Sequence, residues 1–226
     1  MDKSKQIKTP FSKKLPFGKK SKTRKYPVPS GYTLDYIQIK KLIAVLKGKD
    51  KIIMKLLAYM GLRSFEVAKI RLEDINFEEE TIKLIRKFGK PQTLPIPPEI
   101  LSDIEYYIKN EGIKQGYLFV GRNQGHLTRQ SIGNITKKAG ELAKIKSPYP
   151  HNPKYPNYKR YTWITPHMIR HSYGHYLHQL VGQKVLNQEE GARLMGHAKT
   201  TTFWDTYGTA TLSELKERHK KVMEDI

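Results

Sequence analysis

The chain has 226 residues, 38% of them hydrophobic, with 42 Lys plus Arg against 21 Asp plus Glu, a formal net charge of +21 and no cysteine. That length and apolar content support a folded core, and the missing cysteine excludes disulfides and thiolate metal sites. The basic excess calls for a polyanionic partner, nucleic acid ahead of an acidic membrane surface. No apolar run reaches the roughly 18 residues of a spanning helix, and none follows the N-terminus as a signal-peptide core, so the expected setting is cytoplasmic and DNA-associated.

Residues 1–30 hold ten Lys or Arg and one acid, Asp2, with Pro and Ser between them. No core can form there, and the stretch reads as a flexible basic arm. Lys13, Lys14, Lys19, Lys20, Arg24 and Lys25 are its candidate phosphate contacts; a solubilising tail is the plainer alternative. The folded domain is expected over 31–226. Leu34, Ile37, Ile39, Leu42, Ile43 and Leu46 form a helical stripe with Thr33 as a cap and Gly48 as its end. A second helix opens at Asp50, carries Ile52, Ile53, Leu56, Leu57 and Met60 inward, and stops at Gly61. A short helix from Ser64 to about Leu72 follows.

At Asp74 the period changes. Ile75, Phe77, Ile82, Leu84 and Ile85 are strand-like, Phe88-Gly89-Lys90-Pro91 is turn chemistry, and Leu94 and Ile96 return. The expectation is a small three-stranded antiparallel sheet in a mainly α fold. Pro97-Pro98 opens another helix, Leu118-Phe119-Val120 is a short buried piece, and 128–142 is helical. Residues 146–164 hold four Pro and four Tyr among basic residues, including Lys159 and Arg160. This suits either nucleic-acid contact or an aromatic-packed surface loop.

The helix beginning at Pro166, capped by Thr165, sorts its residues by face. Ile169, Tyr173, Tyr176, Leu177 and Leu180 lie on one side; His167, His171, Gly174 and His178 lie on the other, flanked by Arg170 and His175. The expectation is an apolar back and a cationic outer face. A helix over 187–195 ends at Gly196-His197, a short one carries Thr201 to Tyr207, and a charged one starts at Leu212.

Taken singly, the polar residues of these elements have ordinary readings. His167, His171 and His175 have helical ligand spacing, but His-Glu-x-x-His is missing and Arg170 would sit beside the metal, so no metal is expected. His167 and Arg170, three apart at a helix start, suit an anion. Arg63 alone is a surface charge, Lys87 and Lys90 alone are turn lysines, and Tyr207 is one of fourteen tyrosines.

Their joint order changes the reading. "YMGLRSFEVAKIRLEDI", "TPHMIRHSYGHYL" and "LMGHAKTTTFWDTYG" resemble the three boxes of the tyrosine recombinase catalytic domain, the family of phage integrases and chromosome-dimer resolvases, over residues 32 to 212. The resemblance places a catalytic set on Arg63, Lys87, His167, Arg170, His197 and Tyr207. Glu66 and His171 stand in support, and Lys90 is the alternative hairpin lysine. His197 to Tyr207 spans ten residues where the family usually has nine. The family's N-terminal core-binding domain is expected to be absent or reduced to the arm.

The chemistry fits these residue types. Two arginines can clamp a phosphodiester transition state in place of a metal. A phenol of ordinary pKa near 10 needs a base or a positive field. The resemblance implies that Tyr207 is the nucleophile, with His167 as base, His197 hydrogen-bonded to the phosphate and Lys87 as acid to the leaving 5′-oxygen. The product would be a 3′-phosphotyrosyl link that conserves bond energy, so no ATP, metal or other cofactor is expected; no phosphate-binding Gly-rich loop is present. The expected function is site-specific recombination or integration of double-stranded DNA, by a monomer in solution that forms a tetramer on two sites, with the C-terminal helix docked on a neighbour or capping its own subunit. A type IB topoisomerase, a non-catalytic DNA-binding accessory protein and a basic RNA-binding module are the rival readings.

Overall fold

The computed structural model describes residues 33–86, 89–121, 124–148, 162–196, 219–220 and 222–224. Seven α-helices are described: α1 Tyr36–Ala44, α2 Gly48–Tyr59, α3 Ser64–Ala68, α4 Pro98–Glu111, α5 Arg129–Leu142, α6 Pro166–Gly182 and α7 Gln188–Met195. Between α3 and α4 runs one antiparallel sheet in the order β1 (Ile75–Asn76), β2 (Thr81–Ile85), β3 (Pro91–Pro95). The mainly helical fold with a three-stranded sheet is the architecture that the hydrophobic periods imply.

The centre is α2. Every residue from Ile52 to Tyr59 is buried, which is the behaviour of a helix enclosed on all sides. Lys55 is buried with the rest because its ammonium reaches out to Glu99 and, at 2.6 Å, Asp103 on α4. Around α2 one apolar cluster joins α1, α4, α5 and the inner face of the sheet; Phe119, Ile82, Leu94, Ile100 and Ile104 are fully buried in it. A second cluster gathers Tyr173, Leu177, Leu180, Leu186, Leu194, Met195 and Val222 around α6 and α7.

Several ends differ from the sequence expectation, each for a local reason. Helix α1 is capped by Asp35, not Thr33: the Asp35 carboxylate accepts from Gln38 N at 2.7 Å while Gln38 Oε1 accepts from Asp35 N at 3.0 Å. Ile37 then lies on the solvent face at 63% exposure. Helix α3 stops at Ala68, and Leu72–Asp74 forms a separate 3₁₀ turn. Ile85 points outward, because strand parity puts Ile82 and Leu84 on the core side. Val120 is exposed while Leu118 and Phe119 are buried.

Two features set the position of α6. Thr136 Oγ1 on α5 donates to the Ile164 carbonyl at 3.1 Å, and Lys137 lies 5.1 Å over the Trp163 ring. Thr165 then caps the helix, its hydroxyl accepting from Met168 N at 3.3 Å. Helix α7 opens on a reciprocal Asn187–Glu190 capping box and closes at Gly196 in the left-handed conformation, φ 61°. The described part of the last helix packs on the chain's own core. Val222 is fully buried, and His219 Nε2 lies 3.1 Å from the Tyr59 carbonyl and 3.4 Å from Tyr173 Oη. No helix among the described residues is long and apolar enough to cross a membrane.

Candidate active site

A groove of about 1700 Å³ runs between α3, the sheet edge and the N-terminal half of α6. It brings together residues separated by more than a hundred positions: Arg63, Glu66, His167, Arg170 and His171 all line it.

Arg63 stands at the N-cap of α3. Its backbone N–H donates to Glu66 Oε2 at 2.7 Å and its Nη1 to Glu66 Oε1 at 3.0 Å. The Glu66 side chain is fully buried and that of Arg63 is 28% exposed, so the carboxylate braces an arginine whose outer edge stays open to the groove.

Arg170 departs from the expected flank of a cationic outer face: it is buried, at 5% exposure. The reason is a seat of two carbonyls. Nη1 donates to Gly61 O and Nη2 to Met195 O, so the guanidinium joins the end of α2 to the end of α7 while lining the groove. Burial first, and Arg63 second, lower its pKa to about 10, and it stays charged at neutral pH.

His167 occupies the first turn of α6. Its ring is reached from the groove, yet the protein packed round its inner edge, and then the Arg170 and Arg63 charges, hold its pKa below the ordinary imidazole value. It is therefore neutral at pH 7 and able to accept a proton. Its Nε2 lies 2.7 Å from His171 Nε2, with the rings edge to face at 4.1 Å.

Lys90 is exposed beside the hairpin turn and does not line the groove. Lys87, His197, Tyr207, the arm residues Lys13, Lys14, Lys19, Lys20, Arg24 and Lys25, and Lys159 and Arg160 lie outside the described residues.

The sequence reading passed over Arg86 and Gln92. Arg86 follows Ile82 and Leu84 on the inward parity of β2 and is buried at 7% exposure. Its Nη1 donates to Glu66 Oε2 at 2.6 Å and its Nε to Gln92 Oε1 at 2.8 Å. Parity was the available signal: the same count that buries Leu84 turns Arg86 inward.

The helical layers and the short sheet frame a groove edged by two arginines and a histidine, a lining suited to an anion. Residues 33–213 match the model of the phage integrase family, and the chain belongs to that family. It is 32% identical over 188 residues to the tyrosine recombinase XerA of Pyrococcus furiosus, across 80% of this chain and 58% of that protein. Against the XerA of Pyrococcus horikoshii it is 29% identical, across 89% and 65%. The chain thus spans about three fifths of the length of these relatives. Among solved structures, an integrase from mycobacterium phage Brujita superposes with TM-score 0.58 at 22% identity, covering 89% of this chain and 59% of that one. The XerA recombinase superposes at 0.57 and 19%, covering 84% and 64%. A pre-cleavage complex of XerH with its difH substrate gives 0.55 and 17%, covering 78% and 50%. These likenesses establish the fold.

Proposed function

We propose that this chain is a site-specific DNA recombinase or integrase that cuts and rejoins double-stranded DNA through a covalent 3′-phosphotyrosyl intermediate. The observation that carries the reading is the convergence of Arg63, Arg170 and neutral His167 on one groove in a member of the phage integrase family. The basic arm, 1–30, would hold the DNA backbone through its lysines and Arg24, aided by Lys159 and Arg160, and 31–226 would form the catalytic domain.

In the proposed reaction Tyr207 Oη attacks the scissile phosphorus. The Oη–P bond forms, the P–O5′ bond breaks, the phenolic proton passes to His167, and Lys87 protonates the departing 5′-oxygen. Arg63 and Arg170 meet the charge that grows on the non-bridging oxygens, with His197 as a further donor. Glu66 and His171 hold Arg63 and His167 in place, and a 5′-hydroxyl from a second strand reverses the step. Bond energy stays in the link, so neither ATP nor a metal is required. Four such sites act on two duplexes, so the chain would be a monomer in solution and a tetramer on DNA, in a cytoplasmic, DNA-associated setting.

A nicked suicide substrate tests this directly. Incubation should give a covalent protein–DNA adduct mapped to Tyr207, lost in Tyr207→Phe while DNA binding persists. An adduct that survives in Tyr207→Phe removes the nucleophile assignment. Exchange between two specific sites, with no relaxation of a plasmid lacking them, separates a recombinase from a topoisomerase.

A further inference from the structure

The Arg86 side chain has no role in that reaction scheme, yet it is the most buried guanidinium bordering the groove apart from Arg170. It makes two side-chain hydrogen bonds. Nη1 holds Glu66 Oε2 at 2.6 Å, and Nε holds Gln92 Oε1 at 2.8 Å. Gln92 Nε2 in turn donates to the Arg193 carbonyl on α7 at 2.8 Å. On its other side the guanidinium lies against Gly196, where a Cβ would come within 2.5 Å of Arg86 Cζ. Nη2 is buried and has no hydrogen-bond partner among the described residues.

Burying a guanidinium is costly unless its charge is answered. The answer here is Glu66, and Glu66 has two claimants: Arg63 on Oε1 and Arg86 on Oε2. With one claimant, the carboxylate and Arg63 would close into a neutral, charge-assisted pair, and a phosphate would have to compete with Glu66 for the Arg63 donors. With two, one negative charge is shared between two positive ones, and Arg63 keeps charge to spare on its groove side.

We propose that Arg86 is a positioning residue for the phosphate clamp: it holds the Glu66 carboxylate by the oxygen that the Arg63 guanidinium does not bind, so that Arg63 stays braced but not neutralised. The proposal rests on the reading that Arg63 binds the scissile phosphate. It also accords with glycine at 196, where a Cβ would crowd the Arg86 guanidinium.

Single-turnover cleavage of the suicide substrate at saturating DNA tests the coupling, in the full chain. Arg86→Met keeps bulk and removes charge; it should slow cleavage by about 10- to 100-fold, less than the roughly 100- to 1000-fold for losing a transition-state donor outright because Arg63 itself remains, with the Kd for DNA changed by less than about threefold. Glu66→Gln in the Arg86→Met background removes the unanswered carboxylate and should recover about tenfold or more of that loss. A residue that merely filled space would give a double variant no faster than Arg86→Met, and that result overturns the proposal. Thermal melting checks that Arg86→Met folds. If it does not, Arg86→Lys keeps the charge on Glu66 and should stay within about tenfold of the parent; a loss as deep as that of Arg63→Ala overturns the proposal. Arg63→Ala separates the two levels. If it cleaves like the parent, the clamp reading falls and the proposal with it; if it is inactive while Arg86→Met is unaffected, the proposal alone falls.

Discussion

The ring of Tyr173 lies so close over Gly61 that a Cβ there would stand 2.3 Å from Tyr173 Cδ1. Gly61 also has φ +57°, and its carbonyl accepts from Arg170 Nη1. A single glycine thus lets the chain leave α2 in a left-handed turn, lets α6 approach, and aims a carbonyl at the buried arginine. Gly61→Ala should carry a left-handed strain of about 1–3 kcal/mol before the clash is counted. A melting temperature lower by at least about 2 °C is expected by calorimetry. Cleavage should fall further than DNA binding, because the seat of Arg170 moves.

The same tyrosine links the site to the C-terminal segment. His219 is buried against Tyr59 O and Tyr173 Oη, and burial lowers its pKa to about 4 from 6.5. Since the folded value is depressed, the unfolded state binds the proton first as pH falls. Stability is therefore full above about pH 6.5 and is lost progressively toward pH 4. At about 1.4 kcal/mol per pH unit, the loss across that window is about 3 kcal/mol. His219→Asn should flatten this part of the stability–pH curve in denaturant titrations; an unchanged slope would assign the acid loss to another group.

For His167 the sign runs through the reaction. Surrounding protein, then Arg170 and Arg63, lower its pKa below 6.5, so in the proposed mechanism the base stays available into mildly acidic solution. The acid limb of the cleavage rate should lie below pH 6.5. Arg63→Gln removes one of the two positive neighbours and should move that limb upward while lowering the plateau. A limb that stays put would mean that another group sets it.

Much of this arrangement could be read from the chain alone, and the exceptions share a cause. The α6 cap at Thr165, the α7 boundaries and the three-strand sheet follow from local signals: a hydroxyl before Pro166, an Asn187–Glu190 box, and alternation that breaks at Gly89. Arg63, His167 and Arg170 were legible as a set because their box patterns are. The burial of Arg170 was not, since its seat is made of carbonyls from Gly61 and Met195, and backbone atoms leave no trace in residue identity. Arg86 escaped for a related reason: its partner Glu66 lies 20 residues away on another element, and charge at a strand end reads as solvent-facing until parity is counted.

Two buried ion clusters, one around Lys55 and one around Glu66, should respond differently to loss of the central group. Lys55 is enclosed at its stem, but its partners reach water: the Glu99 and Asp103 side chains are 65% and 34% exposed. Lys55→Met keeps the stem in the core and leaves two solvated carboxylates, so the change in stability should stay within about 1 kcal/mol. Glu66 is the reverse case, a fully buried carboxylate between two arginines. Glu66→Ala strands Arg86, whose side chain is 6% exposed, and should cost about 3–5 kcal/mol. Urea unfolding of both variants against the parent measures the contrast. Equal losses would mean that what decides the cost is the enclosed cation itself, whatever the exposure of its carboxylate.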